Sequence, residues 1–273
     1  MRKLLLLVLC VFMLAGCSSA KTSVGDEMMF KVGNRTFTKQ DTYDAMLAND
    51  GGNSLMNIVM KWLCDKEVVD GYEEGSLELI KTYKENFGVE TDEELVEYVS
   101  MYGYPTYESF LEFCQFVTRL DILVRRYVAD NVDKYAKDYY PVVAVQIYLE
   151  NENLEKADEI IEELKKGTLS DVCEKYKLRS QPATTYIAGL GTNENLTEAL
   201  KKEDDVVLYA GNTILYKMAK GVDALKEDFI DGLSKNDTII AEAYNYYLKK
   251  YNLTFHDEDL KKLLEQNFAD MLK

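Results

Sequence analysis

From Tyr107 to Tyr135 apolar side chains return at helical spacing with no proline to interrupt them: Phe110, Phe113, Cys114, Val117, Leu120, Leu123, Val124 and Val128. A stripe of that length is buried by packing against other helices, so this segment demands a helical body around it. The preceding sequence supplies partners. Thr38 with Asp41 three residues later is a capping-box start, and Tyr43, Met46 and Leu47 follow as an apolar face that stops at Asp50-Gly51-Gly52. A second helix is expected from Ser54 to Tyr72, with Leu55, Ile58, Val59, Trp62, Leu63 and Val69 as its stripe. A third begins near Ser76. Thr91 and Glu94 open a fourth that buries Leu95, Val96 and Val99, and Tyr102-Gly103-Tyr104-Pro105-Thr106 breaks it. Phe30 to Phe37 reads as a strand-turn element with Gly33-Asn34 at the turn.

The texture changes after Pro141. Val142 to Leu149 is β-branched and aromatic, as a strand should be. Leu154 to Lys166 reads as a helix closed by Gly167, and Leu169 to Tyr176 as a shorter one. Ala183 to Ile187 is a strand candidate and Leu196 to Lys202 a short helix. Val206 to Tyr209 and Thr213 to Met218 form a hairpin around Ala210-Gly211-Asn212. Helices return at Ala224 to Leu233 and Asp237 to Tyr251. An extended Asn252 to His256 precedes a last helix, capped by Asp257 and reaching Lys273. The fold class is α+β and mainly helical.

The N-terminus carries a different signal. Arg2 and Lys3 precede an apolar run from Leu4 to Leu14, shorter than the roughly 18 residues that a permanent span needs. Leu14-Ala15-Gly16-Cys17 then resembles the bacterial lipobox. Residues 1–16 are therefore expected to be a signal peptide, Cys17 the lipid-bearing residue and residues 17–27 a polar tether. The plain alternative is an ordinary secretory signal with an incidental cysteine. A diacylated cysteine anchors because each buried methylene contributes about 0.8 kcal/mol and two chains act together.

Composition narrows the function classes. Thirty-two basic against 48 acidic residues give a net charge of −16, which disfavours nucleic acid and a surface lying flat on anionic lipid. Cys10 leaves with the signal. Cys64, Cys114 and Cys173 remain, without metal-like spacing; they are either buried free thiols or include one disulfide. The single histidine, His256, leaves no basis for a zinc site or a histidine triad, and no metal or cofactor is expected. There is no G-x-S-x-G and no alternating βαβ series of a solute-binding protein.

Several stretches together resemble a known family. Val32 to Asp41 is similar to an opening "V-N-G-x-x-I-T-K-x-D/E", and Tyr251 to Leu260 to a terminal "a-x-V-x-I-x-D-x-D-L". Val145-Gln146-Ile147-Tyr148-Leu149 is similar to "x-H-I-L-V", Gly189-Leu190-Gly191 to "G-D-L-G", and Gly211 to Lys217 to "G-Y-H-I-I-K-V". With the lipobox, this order resembles the PrsA-type foldase lipoproteins and the related SurA-type periplasmic chaperones. The resemblance implies a helical chaperone domain built from both chain ends, residues 28–139 and 222–273, around a parvulin-like prolyl isomerase domain, residues 140–221. It implies unfolded or nascent secreted proteins as partners and a membrane held through lipid on Cys17, at a Gram-positive surface or in a periplasm. It leaves the oligomeric state open.

The departures from the family are informative. Gln146 and Thr213 stand where the family has two facing histidines, so the isomerase domain is expected to be weak or inactive. The two residues either bond to each other or simply fill a small core. Tyr102, Tyr104, Tyr107, Phe110 and Phe113 cluster around one helix break and are candidates for client contact, with core packing as the alternative for Phe110 and Phe113 in particular. An active but divergent isomerase and a surface lipoprotein with one dedicated partner are the competing functions. Replacing Cys17 with Ser is expected to abolish incorporation of labelled palmitate and to move the protein out of the membrane fraction.

Overall fold

The structure is a computed structural model and describes residues 28–32 and 34–273. The expected signal peptide, the expected lipidation residue Cys17 and the expected tether lie outside the described residues. The chain divides into two compact units: residues up to Arg126 together with Asp237–Lys273, and Tyr127–Asn236. Residues 127–139 and 222–236, which the family resemblance groups with the helical ends, cluster with the sheet.

The first unit opens on an antiparallel hairpin, β1 (Met28–Val32) and β2 (Arg35–Thr38), with Val32 opposite Arg35. Thr38 then caps α1 (Lys39–Asp50) reciprocally: its hydroxyl accepts the Asp41 N–H at 3.2 Å and its own N–H donates to the Asp41 carboxylate at 2.8 Å. Next come α2 (Asn53–Glu67), α3 (Glu73–Phe87), α4 (Asp92–Ser100) and α5 (Tyr107–Asp130). The long stripe ends earlier than its periodicity suggests, because Asn131 leaves helical geometry; the separate turn that follows, α6 (Val132–Tyr135), belongs to the second unit.

The face that α2 buries differs from the expected one. Met56, Met60, Leu63 and Cys64 point inward, while Ile58, Trp62 and Val69 are exposed. This sequence carries two apolar rows, and periodicity alone does not rank them. The core takes the row with the unbranched, adaptable methionines. Trp62 instead meets Tyr251 edge-on at 5.1 Å. Arg119 of α5 reaches across to α2, ion-pairing with Asp65 and stacking 3.8 Å over the Tyr72 ring.

The C-terminal segment completes this unit with α12 (Asp237–Lys250) and α13 (Glu258–Asn267). Ile239, Ala243, Tyr247 and Leu248 of α12 and Leu263 and Leu264 of α13 are buried. The Tyr247 hydroxyl donates to the Leu123 carbonyl at 3.4 Å. Lys250 Nζ and Tyr251 Oη donate to the Glu67 carboxylate at 2.7 and 2.6 Å. Burial pushes Glu67 up, but these two donors outweigh it and hold the carboxyl below its ordinary range. The last helix stops at Asn267 rather than reaching Lys273, since Phe268 departs from helical geometry and the Met271 carbonyl accepts from Asn245 of α12 at 2.9 Å.

The second unit is built on β3 (Tyr140–Tyr148), the strand from which the rest of an antiparallel sheet grows. Its partners are β4 (Arg179–Ser180), β5 (Thr184–Ala188) and β7 (Thr213–Lys220), and β6 (Val206–Tyr209) extends β7. Strand alternation divides β3 between two cores. Val145, Ile147 and Leu149 pack with Ala157, Ile160 and Leu164 of α8 (Ala157–Leu164) and Val172 of α9 (Leu169–Tyr176). Val142 and Ala144 pack with Leu196, Ala199 and Leu200 of α10 (Glu194–Lys201). The β6–β7 turn places Ala210 and Gly211 at φ 55° and 79°, the left-handed pair that suits a twisted hairpin.

Two local expectations fail here. The helix from Leu154 to Lys166 is two pieces, α7 (Asn151–Leu154) and α8, because Asn153 turns its side chain to the Tyr176 carbonyl at 3.1 Å. Gly167 is not the left-handed cap; α8 closes on Lys165 in right-handed geometry. Strand β4 is two exposed residues, too short to register as a pattern. Helix α11 (Lys226–Leu233) lies against β3 and β5, and Gly232 permits it: a Cβ there would stand 2.2 Å from Ile187 Cδ1. Lys217 is buried and donates to the Lys202 carbonyl at the end of α10; that burial lowers its pKa.

Gly52, at φ +86°, faces Leu264, and a Cβ would sit 2.5 Å from Leu264 Cδ2. Gly52→Ala combines left-handed strain with a clash and should destabilise the protein by about 2–4 kcal/mol. Gly71, at φ +79° with open space around it, should cost only the backbone term, about 1 kcal/mol, on the same change. Equilibrium urea unfolding of both variants checks the difference.

Candidate functional site

Gln146 occupies the sheet face opposite the α8–α9 core, because strand parity sets it apart from Val145 and Ile147. Its backbone partner on β7 is Leu215, while Thr213 lies opposite Tyr148. The two residues therefore share a face but stand one cross-strand pair apart, and they do not bond to each other. Gln146 Nε2 donates to the Tyr186 hydroxyl at 2.9 Å, and the Tyr148 hydroxyl donates to Gln146 Oε1 at 3.3 Å. Thr213 is buried, and its hydroxyl donates to Asn212 Oδ1 at 3.3 Å. Tyr209, opposite Thr213 on β6, completes the face, and burial raises its pKa.

This face is a hydrogen-bonded amide among phenols. Every one of these groups can donate or accept a hydrogen bond, and none is an imidazole that changes charge near neutrality. His256 lies between α12 and α13 in the other unit. The sequence expectation named Gln146 and Thr213 but not the tyrosines, whose signal is parity: counting by twos from Gln146 leads to Tyr148, and the hairpin register leads from Thr213 to Tyr209.

The aromatic cluster near the helix break separates into different environments. Phe110 is 2% exposed and joins Ile80, Tyr83, Leu95, Val99 and Cys114 in the core. Tyr104, Tyr107 and Phe113 are half-buried against the same core, with Tyr104 4.9 Å from Phe113 and 5.6 Å from Phe110, centroid to centroid. Tyr102 alone of the five is exposed, at 58%, and its neighbours in exposure are Met101 at 73% and Tyr98 at 43%. Tyr98 lies in the last turn of α4, Met101 is its C-cap and Tyr102 follows in the turn.

The thiols offer little chemistry. Cys64, Cys114 and Cys173 are free, and the first two are buried. Burial pushes the Cys64 and Cys114 thiols up to about 12, where the nucleophilic thiolate is scarce. Among the described residues no group of side chains is arranged to hold a metal ion, and no helix is long and apolar enough to cross a membrane.

No protein-family model and no curated relative matches the sequence. Among solved structures, the chain is similar to the foldase protein PrsA of Streptococcus pneumoniae (19% identity, 88% of this chain and 100% of that one, TM-score 0.47). It is similar to PrsA of Bacillus subtilis (18% identity, 88% and 99%, TM-score 0.43) and to the peptidylprolyl isomerase PrsA of Bacillus cereus (16% identity, 89% and 98%, TM-score 0.47).

The two environments around the helix break predict opposite mutational outcomes. Phe110→Ala should cost about 3–5 kcal/mol of stability through lost packing and a residual cavity, whereas Tyr102→Ser should stay within about 0.5 kcal/mol. Urea midpoints measured side by side would reveal a misassignment if the two changes were alike.

Proposed function

We propose that this protein is a membrane-tethered, extracytoplasmic chaperone of the foldase kind, which holds unfolded or newly secreted proteins and has lost prolyl isomerisation. The observation that carries the reading is the exposed Tyr98, Met101 and Tyr102 strip on a helical unit whose core is already closed beneath it by Leu95 and Val99. Methionine and tyrosine adapt to many apolar partners, which suits a holder of diverse chains. The tether is the lipid expected on Cys17.

The hydrogen bonding on the sheet supports the loss of isomerisation. Rotating a prolyl bond means lowering a barrier of roughly 18–20 kcal/mol. Gln146 is paired with Tyr148 and Tyr186, and Thr213 with Asn212, so neither stands ready to exchange a proton or reorganise around a twisted amide. A second reading, a divergent isomerase, draws on the same face, since a connected polar network persists there. A third, binding of one dedicated partner, uses the same exposed strip.

In a protease-coupled assay on a proline peptide, the protein should accelerate isomerisation no more than a Gln146→Ala, Thr213→Ala variant does. It should also suppress aggregation of an unrelated denatured protein at near-stoichiometric ratios. Robust turnover that the double variant loses would establish the divergent enzyme. Absence of suppression would leave the dedicated-partner reading.

A further inference from the structure

Helix α4 sits on the unit so that one side is committed and the other is not. Leu95 and Val99 are at 0% and 2% exposure. Thr91 and Glu94 form a complete capping box that fixes where the helix begins and how it is rotated. Tyr98 is held from beneath, its ring stacked on Phe87 at 5.0 Å and 13°. Met101 caps the helix in right-handed geometry and Tyr102 follows in the turn, so the three exposed apolar side chains gather as a short strip at the C-terminal end of α4.

Charge surrounds that strip unevenly. Asp92 is ion-paired with Lys84 at 2.7 Å and Glu94 is used by the cap. Glu93 and Glu97 are exposed and make no ion pair among the described residues. They lie four apart on α4, one turn from each other, so two open carboxylates lead up to the exposed apolar end of the helix. The net charge of the whole chain, −16, has the same sign and would steer positive partners toward it.

We propose that the Tyr98–Met101–Tyr102 strip with Glu93 and Glu97 is a docking face for cationic amphipathic segments of unfolded polypeptide, with leucine-like residues on one side and lysine or arginine on the other. This rests on the chaperone reading and names the class of segment such a chaperone would select. Apolar contact on the strip supplies affinity, and the carboxylates supply preference and speed of encounter. Anionic segments of equal hydrophobicity are repelled, and raising the salt concentration weakens the preference.

The test uses the full-length protein in zwitterionic nanodiscs, with empty nanodiscs as the blank. Fluorescence anisotropy follows a labelled helical-pattern peptide of leucine and lysine, and a second with glutamate in place of every lysine. The lysine peptide should bind at least about tenfold more tightly, a difference of about 1.4 kcal/mol. Tyr98→Ser, Met101→Ser and Tyr102→Ser together should weaken it by a similar factor. Glu93→Gln with Glu97→Gln should remove most of the preference and flatten its dependence on salt, and these exposed changes leave the core untouched. Equal binding of the two peptides, or an unchanged preference in the glutamine variant, would overturn the proposal. A parallel aggregation assay separates the two claims: suppression without charge preference removes the docking face and keeps the chaperone. Charge-selective peptide binding without suppression does the reverse.

Discussion

The helical unit depends on the return of the chain's end to its beginning. Residues 237–273 bury Ile239, Leu248, Leu263 and Leu264 within the same unit as α1 to α4, Leu264 against Gly52. Each such side chain contributes roughly 1.5–3 kcal/mol by leaving water. The polar contacts at the same seam act differently. The Lys250 and Tyr251 bonds to Glu67 and the Asn267 bond to the Gly51 carbonyl, at 2.8 Å, fix register and angle. A surface ion pair is worth about 0–1 kcal/mol, so burial decides that the seam closes and hydrogen bonds decide how.

The sheet unit shows the same division between what holds and what acts. Strand β3 is shared by β4, β5 and β7, and its alternating side chains feed two separate cores. With both faces needed for packing, only the end of one face is left for polar groups, and Gln146 with its tyrosine partners fills it. A histidine pair there would add charge change to a place otherwise governed by neutral hydrogen bonds. The residues present supply neutral amide, phenol and hydroxyl bonds in its place.

Much of this was legible in the sequence. Capping boxes at Thr38 and Thr91 marked helix starts because they depend on residues three apart. The alternation around Val145 and the hairpin at Ala210-Gly211 marked the sheet for the same local reason. What escaped was decided by tertiary competition. Helix α2 has two apolar rows, and only the shape of the core selects the methionine row over the one bearing Ile58 and Trp62. Helix α11 carries an ordinary amphipathic pattern, and its place beside β5 rests on a single glycine meeting Ile187. At the candidate site, Gln146 and Thr213 could be named from position alone, but their separation by one cross-strand pair is a property of register that no local pattern encodes.

The closure between Gly52 and Leu264 has a kinetic meaning. Contacts that join residues about two hundred positions apart carry a large loop-closure cost and form slowly. The sheet unit is contiguous, so it can collapse while those distant contacts are still missing. A chain emerging in order would therefore complete its middle first and keep the stretch of α5 near Leu123 waiting until the last helices arrive, exposing it to the same hazards as any other late-folding polypeptide.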